Sequence, residues 1–188
     1  MSTTRLPFPR RIPFVEHLGF ELWSFGGGRA ELRLDLAEAH LNYWDVAHGG
    51  VLMTLLDVAM AHAARSSGVT MDTARSSGVT MDTARSAAVR PDAAASVPHG
   101  AVEHGPGVAT IEMKTSFMRP AEGRLRAAGT LLHRTATLAF CEGSIFDEAG
   151  HLCAHATATF KYLRALPATG RHAKPLPHAA TPNDKETP

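Results

Sequence analysis

The sequence predicts an α+β fold in which an antiparallel sheet of five or six strands wraps round one long central helix. Residues 48–64 are predicted to form that helix, and they are apolar on almost every side. Several other segments alternate apolar and polar residues, as half-buried strands do, and glycine-containing turns separate them. A helix without a polar face must be enclosed, and the apolar face of such a sheet can enclose it.

The order of these segments predicts how the chain is organised. We expect residues 1–13 to form a loose N-terminal arm, residues 14–166 the folded domain and the proline-rich residues 167–188 a disordered tail. Within the domain we expect a short helix at 14–20 and strands at 20–25, 29–36, 108–118, 124–134, 136–147 and 151–163.

A tandem repeat interrupts the domain. The decapeptide ARSSGVTMDT occupies residues 64–73 and recurs without a change at 74–83. Ten residues turn a helix by about 1000°, so two helical copies would not present the same face. The repeats of solenoids are longer, about 20 to 50 residues. We therefore expect residues 66–106 to form an elongated surface insertion.

Composition excludes several classes of function. The 19 Lys and Arg residues nearly balance the 18 Asp and Glu residues, which leaves no field that favours nucleic acid or a membrane as a partner. Cys141 and Cys153 lack the spacing of a zinc site or a disulfide framework, so we expect no metal and two free thiols. No apolar run has the length of a signal peptide or a membrane span, and we expect a cytoplasmic protein.

The acid within the apolar helix calls for an explanation. A buried carboxylate costs several kcal/mol unless it has a partner. Asp57 is therefore either a general base or nucleophile, or a structural acid whose hydrogen bonds are satisfied. At 100° per residue, the same side of the helix carries Met53, Thr54, Met60 and Ala61.

The start of the helix is a second candidate site. Gly49 and Gly50 permit close approach to free backbone N–H groups, which describes an oxyanion hole, although glycines there can also serve packing alone. His48 can polarise a substrate carbonyl or bond the loop backbone. Asn42 can hold a water or a carbonyl, or bond its own backbone.

These residues carry a family resemblance. Asn42, His48-Gly49-Gly50 and Asp57, followed by Ser116-Phe117-Met118-Arg119-Pro120-Ala121, resemble the hotdog-fold acyl-CoA thioesterases of the PaaI-like (phenylacetate-pathway) group. The resemblance covers residues 14–166 without the insertion, which departs from the short loop usual in this group. It implies a hotdog fold, a homodimer with the two sheets side by side, further pairing into a homotetramer, and hydrolysis of acyl-CoA without a cofactor, since CoA is part of the substrate.

The resemblance also implies roles for individual residues. The Gly49 N–H would polarise the thioester carbonyl, and Asp57 would activate water or attack directly. By position, Thr110 matches a hydroxyl residue that helps to place the attacking water. Candidates for binding the substrate are Gly50, Arg119 and Arg134, with Arg124 and His133 as further basic residues near strand ends.

Two other functions compete with this one. A 3-hydroxyacyl dehydratase or hydratase on the same fold also couples a histidine with a helix acid, and a non-catalytic module would bind acyl-CoA without turnover. For the acyl group we expect a medium chain or an aryl-acetyl group, because Phe117, Met53, Met60 and the Tyr43-Trp44 loop offer an apolar lining.

Helix geometry predicts that the active site is shared between subunits. Gly49 and Asp57 lie about 12 Å apart along the helix axis, whereas a general base works within about 3 Å of its proton or through one water. One helix therefore does not supply both groups to one carbonyl. A two-fold dimer in which Gly49 of one subunit faces Asp57 of the other resolves the conflict.

Overall fold

The structure is a computed structural model that describes residues 4–66 and 106–163. Its elements are, in chain order, α1 (Pro13–His17), β1 (Glu21–Gly26), β2 (Arg29–Asp35), a 3₁₀ turn (Glu38–His40), α2 (Gly49–Arg65), β3 (Gly107–Phe117), β4 (Arg124–Arg134), β5 (Leu138–Phe146) and β6 (Leu152–Leu163). The predicted tail lies outside the described residues, and so do the decapeptide repeat and the predicted insertion except for residues 64–66 and 106.

The six strands form one antiparallel sheet in the order β1-β2-β4-β5-β6-β3. Helix α2 lies across the inner face of this sheet and contacts all six strands. The predicted fold class is confirmed: the protein is an α+β hotdog fold with an antiparallel sheet wrapped round one central helix. In the described part of the chain, no helix is both long and apolar enough to cross a membrane.

Two glycines let the helix lie close to the sheet. A Cβ atom on Gly129 in β4 would stand 2.5 Å from the backbone carbonyl of Ala59, closer than real Cβ contacts allow. A Cβ atom on Gly143 in β5 would stand 3.0 Å from Cγ of Met60. Met60 is accordingly fully buried against the sheet. The expectation that Met60 lines an acyl pocket is wrong, because the sheet curves far enough round the helix to cover it.

A β-bulge in β3 changes which residues face the helix. The pairing of β3 with β6 shifts register between Thr110 and Glu112, which leaves Ile111 as an extra residue. Before the bulge the inward residue is Thr110, which reaches the helix side chain of Asp57. After the bulge Met113 faces inward instead, while Glu112 accepts a hydrogen bond from Thr159. Even-numbered residues of β3 therefore face the helix before the bulge, and odd-numbered residues face it after the bulge.

Residues 4–12 of the predicted arm lie against the body of the protein. The Leu6 amide donates to the Leu22 carbonyl at 2.7 Å, which adds an isolated bridge to β1. Phe8 and Ile12 pack against the core. The ring of Phe8 also meets the edge of the His62 ring in α2, with 5.4 Å between ring centroids. This segment therefore covers the C-terminal half of the helix.

Candidate active site

The first turn of α2 leaves one backbone donor free. Nδ1 of His48 caps the helix by accepting a hydrogen bond from the Gly50 amide at 3.0 Å. The amides of Val51 and Leu52 donate to the His48 carbonyl at 2.9 and 3.2 Å. Within residues 4–66 and 106–163, the Gly49 amide has no acceptor. It is therefore available to an outside oxygen at the positive end of the helix dipole.

The His48 and Asn42 side chains both bond backbone, as their simpler interpretations predicted. Because Nδ1 of His48 accepts a hydrogen bond, a neutral ring carries its proton on Nε2 and can donate it to a ligand from this exposed position. Oδ1 of Asn42 accepts from the Trp44 amide at 2.8 Å and so shapes its own loop. The backbone N–H of Asn42 closes that loop by donating to the Val46 carbonyl.

The helix acid has a single side-chain partner among the described residues. Oγ1 of Thr110 donates to Oδ1 of Asp57 at 2.8 Å. Burial raises the pKa of Asp57, and the hydrogen bond from Thr110 opposes that rise without cancelling it. A half-buried carboxylate with a raised pKa is suited to accept a proton from water near neutral pH. Thr110, which was assigned to the site only by its position in the family pattern, is thus in contact with the acid.

The helix start and the acid lie at separate points along β3. Asp57 meets this strand at Thr110, whereas Gly49 meets it at Phe117, whose Cζ would lie 3.5 Å from a Cβ on the glycine. Both groups are on the same helix, about 12 Å apart along its axis. Within one chain, therefore, the candidate oxyanion donor and the candidate base do not reach the same carbonyl.

A cavity of about 590 Å³ opens beside the acid. Asp57 and Thr54 form part of its wall, and much of the rest is apolar. The apolar lining comes from the arm, α1, α2 and β3 and includes Ile12, Phe14, Met53, Ala61, Val108 and Met113. A mainly apolar cavity with a few polar groups is the usual form of a site for a small molecule.

Only part of the predicted acyl lining faces this cavity. Met53 does, whereas Met60 is buried against the sheet and Phe117 lies at the helix start. Tyr43 and Trp44 are 92% and 76% exposed and stand outside the cavity. The turn built on Asn42 holds these two aromatic residues in solvent, so this interpretation of the loop is wrong for the single chain.

The two predicted arginine ligands lie at opposite ends of the sheet. Arg119 follows β3 at the end that meets the helix start, where the Ala47 amide donates to the Ala121 carbonyl at 2.9 Å. Arg134 ends β4 at the other end, paired with Ala139. Both side chains are exposed. The structure therefore does not bring them together in one chain.

Sequence reasoning missed the polar residues at the far end of the cavity, Arg10, His62 and Arg65. Helical spacing could have indicated Arg65, because Asp57, Ala61 and Arg65 follow at intervals of four residues and so lie on one side of the helix. Nothing in the sequence pattern indicated Arg10, since the arm has no periodicity that would place this residue over the helix.

The cysteines do not supply a nucleophile to this site. Both thiols are free and buried, and burial raises the pKa of Cys141 to about 12. A thiol of that pKa carries almost no thiolate at neutral pH. Within the described ranges, no group of three or more His, Cys, Asp or Glu residues is placed to hold a metal ion.

Comparison with known proteins decides the family. The model of the thioesterase superfamily matches residues 45–154, which include the helix start, Asp57 and Thr110. The chain belongs to the thioesterase superfamily. Membership supports thioester hydrolysis as the reaction class. No curated protein matches the sequence.

Solved structures share the thioesterase fold over most of the chain. A conserved protein of Pseudomonas aeruginosa is 25% identical, with a TM-score of 0.60 over 82% of this chain and 97% of its own. PaaI of E. coli, from the phenylacetic acid degradation operon, is 17% identical, with a TM-score of 0.60 over 81% of this chain and 86% of its own. A mutant of PaaI from Thermus thermophilus is 21% identical, with a TM-score of 0.57 over 81% and 100%. The expected hotdog fold and membership of the thioesterase superfamily are therefore confirmed, and the PaaI structures share this fold.

The hydrogen bond between Thr110 and Asp57 predicts a pH effect. The Thr110→Val variant keeps the shape of the side chain but removes the donor that lowers the pKa of Asp57. If the ionised acid is the active form, the acid limb of the kcat/KM profile should move to higher pH, because a carboxylate of higher pKa ionises later. Thr159→Val, which removes a similar hydrogen bond to Glu112, should leave the profile in place. An unmoved limb in Thr110→Val would show that Asp57 is not the titrating group.

Proposed function

We propose that this thioesterase hydrolyses acyl-CoA to the free acid and CoA, with Asp57 as the general base or the nucleophile and the start of α2 as the oxyanion hole. The observation that carries the proposal is Asp57 itself, a half-buried carboxylate of raised pKa in the wall of a largely apolar cavity. The free Gly49 amide supports it. No cofactor is needed, because CoA enters as part of the substrate.

The reaction needs three functions from the protein. The Gly49 N–H donates to the carbonyl oxygen, which gains negative charge as the tetrahedral intermediate forms, and Nε2 of His48 can add a second donor. As a base, Asp57 takes a proton from water while the water oxygen bonds to the carbonyl carbon. The C–S bond then breaks, and the proton passes to the departing CoA thiolate. As a nucleophile, Asp57 would bond to that carbon, and the C–S bond would break to release CoA thiolate and leave a mixed anhydride. Water would then hydrolyse the anhydride to the free acid and the Asp57 carboxylate, and a proton released in that step would pass to the thiolate.

We place each active site at a dimer interface formed by β3. This strand is an edge of the sheet, and Ile111 and Phe117 on it are 56% and 52% exposed. Edges of this kind pair readily with another strand. Antiparallel pairing of two copies about Met113 and Lys114 would set Thr110 opposite the partner's Phe117. Asp57 of one subunit would then approach the partner's Gly49, and two such dimers could form a tetramer.

The cavity lining supports a medium-chain or aryl-acetyl group as the acyl moiety. Met53, Ala61, Val108 and Met113 offer an apolar surface beside Asp57, and Thr54 offers one hydroxyl near it. Within this proposal, Asn42 and Thr110 hold water or substrate, and Gly50, Arg119 and Arg134 contact the CoA part. The proposed compartment is the cytoplasm, where both thiols would stay reduced.

A panel of acyl-CoA thioesters tests the proposed reaction. We expect release of thiol from medium-chain or aryl-acetyl CoA, measured with a thiol reagent, and none above background from the Asp57→Asn variant. A hydratase or dehydratase would change the enoyl absorbance without releasing thiol. A binding module would show affinity without turnover. Absence of thiol release from every thioester in the panel would contradict the proposal.

Complementation tests the composite site. Asp57→Asn and Gly49→Val should each be inactive as homodimers, because each lacks one part of every site. Refolding the two together should give about half heterodimers, each with one intact site, so activity should recover to about a quarter of wild type. No recovery, with heterodimers confirmed by native mass spectrometry, would place both groups in one subunit.

A further inference from the structure

The cavity continues past the acid toward a cationic end. Asp57, Ala61 and Arg65 follow one another at intervals of four residues along α2, and all three line the cavity. Arg65 therefore lies about 12 Å from Asp57 along the helix axis. The arm places Arg10 at the same cavity. A substrate whose carbonyl lies at Asp57 would thus extend along apolar walls toward two arginines.

These two arginines lack a counter-charge in the described part of the chain. No carboxylate of residues 4–66 or 106–163 forms an ion pair with Arg10 or Arg65. Nε of Arg65 is shielded from solvent and has no hydrogen-bond acceptor there. Burial, together with the charge of Arg10, lowers the pKa of Arg65. Two like charges that share a cavity with unfilled donors are stabilised by an anion between them.

The neighbouring histidine adds no positive charge. His62 is 2% exposed, and its Nδ1 lies 2.8 Å from the Val58 carbonyl oxygen. Burial lowers the pKa of His62 to about 4, so the ring is neutral at pH 7. Phe8 and Phe25 pack edge to face against it. The positive character of this end of the cavity therefore comes from Arg10 and Arg65.

We propose that the substrate of this thioesterase carries an anionic group, which Arg10 and Arg65 bind about two helical turns from the thioester carbonyl. The proposal rests on the proposed acyl-CoA hydrolysis. Arginine suits this task because its planar donors match the two oxygens of a carboxylate or the oxygens of a phosphate. The favoured source is a carboxylate at the far end of the acyl chain, since Ala61, Val108 and Leu163 make the intervening wall apolar. A phosphate of the CoA part has the same chemistry.

Part of the cationic end of the cavity comes from the arm, which lies outside the region that the family model matches. The family match covers residues 45–154, so it contains Arg65 but not Arg10, Ile12 or Phe14. The arm is fixed in place by the Leu6 bridge to β1, which lets it form a wall of the cavity. The charge preference would therefore depend on a segment outside the matched region.

The test compares acyl-CoA pairs of equal chain length that end in a methyl group or a carboxylate. We expect kcat/KM for suberoyl-CoA to exceed that for octanoyl-CoA by about 10-fold or more, as a charged hydrogen-bonded pair provides. Arg65→Gln and Arg10→Gln should each remove most of this preference, and Arg65→Lys should keep part of it. Arg11→Gln is the matched control, because Arg11 pairs with Glu16 and does not line the cavity.

A second pair of substrates distinguishes the two sources of the anion. If Arg10 and Arg65 bind CoA phosphate, both glutamine variants should slow octanoyl-CoA but not octanoyl-pantetheine, whatever the acyl terminus. The proposal is overturned if the glutamine variants neither reduce the preference for suberoyl-CoA over octanoyl-CoA nor slow octanoyl-CoA more than octanoyl-pantetheine. Octanoyl-CoA hydrolysis by the wild type would still support the proposed function in that case. Arg10→Gln guards against misfolding, since Arg10 is exposed on the arm.

Discussion

Asp57→Asn is expected to lower kcat by about 10²–10⁴-fold while leaving the fold and the oligomer intact. The amide keeps the size of the side chain, and its oxygen can still accept the hydrogen bond from Thr110. It cannot take a proton from water or attack a carbonyl. Single-turnover thiol release and size-exclusion chromatography measure the two outcomes. Asp35→Asn, the same change at an exposed carboxylate of β2, should retain wild-type activity.

The same variant should be at least as stable as the wild type at neutral pH. Burial raises the pKa of Asp57 in the folded protein above its ordinary value of 3.8. The folded state therefore holds this proton more tightly than the unfolded chain, and its contribution to stability falls as the pH rises above 3.8. Asparagine does not ionise, so the variant does not lose this stability at neutral pH. A melting temperature well below wild type would instead show that the carboxylate has a structural role.

Gly129→Ala is expected to destabilise the protein by about 3 kcal/mol, which corresponds to a fall in melting temperature of about 10 °C. The added Cβ would stand 2.5 Å from the carbonyl of Ala59, and helix backbone cannot move aside as the end of a side chain can. The helix must therefore shift away from β4, which opens the core along its length. Thermal unfolding followed by circular dichroism gives the measurement.

Two glycines of other strands, Gly26 in β1 and Gly143 in β5, serve as controls for this prediction. Gly26→Ala adds a Cβ that meets nothing within 4 Å, so its melting temperature should stay close to wild type. Gly143→Ala should fall between the two, because its nearest contact is the flexible side chain of Met60 at 3.0 Å. If Gly129→Ala melts like the wild type, the helix does not lie as close to the sheet as the structure has it.

The strands were predictable because each alternates or is bounded by clear turn residues. The prediction for β4 matches Arg124–Arg134 at both ends, and the other strands differ by a residue or two. The helix and its acid were predictable because Asp57 is so unusual in an apolar run. The contact between Asp57 and Thr110 depends on two segments 53 residues apart in sequence, and only the family resemblance pointed to it.

What could not be predicted depends on how elements pack. Met60 lies 60° from Asp57 on a helical projection, but only the curvature of the sheet and the absence of a side chain at Gly143 decide that it is buried. Arg10 reaches the cavity because the Leu6 bridge holds the arm, and a segment with three prolines shows no periodicity that predicts such a bridge. Both misses concern positions that neighbouring elements determine.

The bulge at Ile111 decides which face of the sheet each half of β3 turns toward the helix. Ile111 is 56% exposed, so many residues could replace it without loss of the core. Thr110 and Phe117 are seven residues apart, so in a strand of regular alternation they would point to opposite faces and only one of them could meet the helix. The bulge leaves Ile111 without a partner on β6, and both side chains therefore point toward the helix. One unpaired backbone position thus keeps the acid's partner and the neighbour of the helix start on the same face of the sheet.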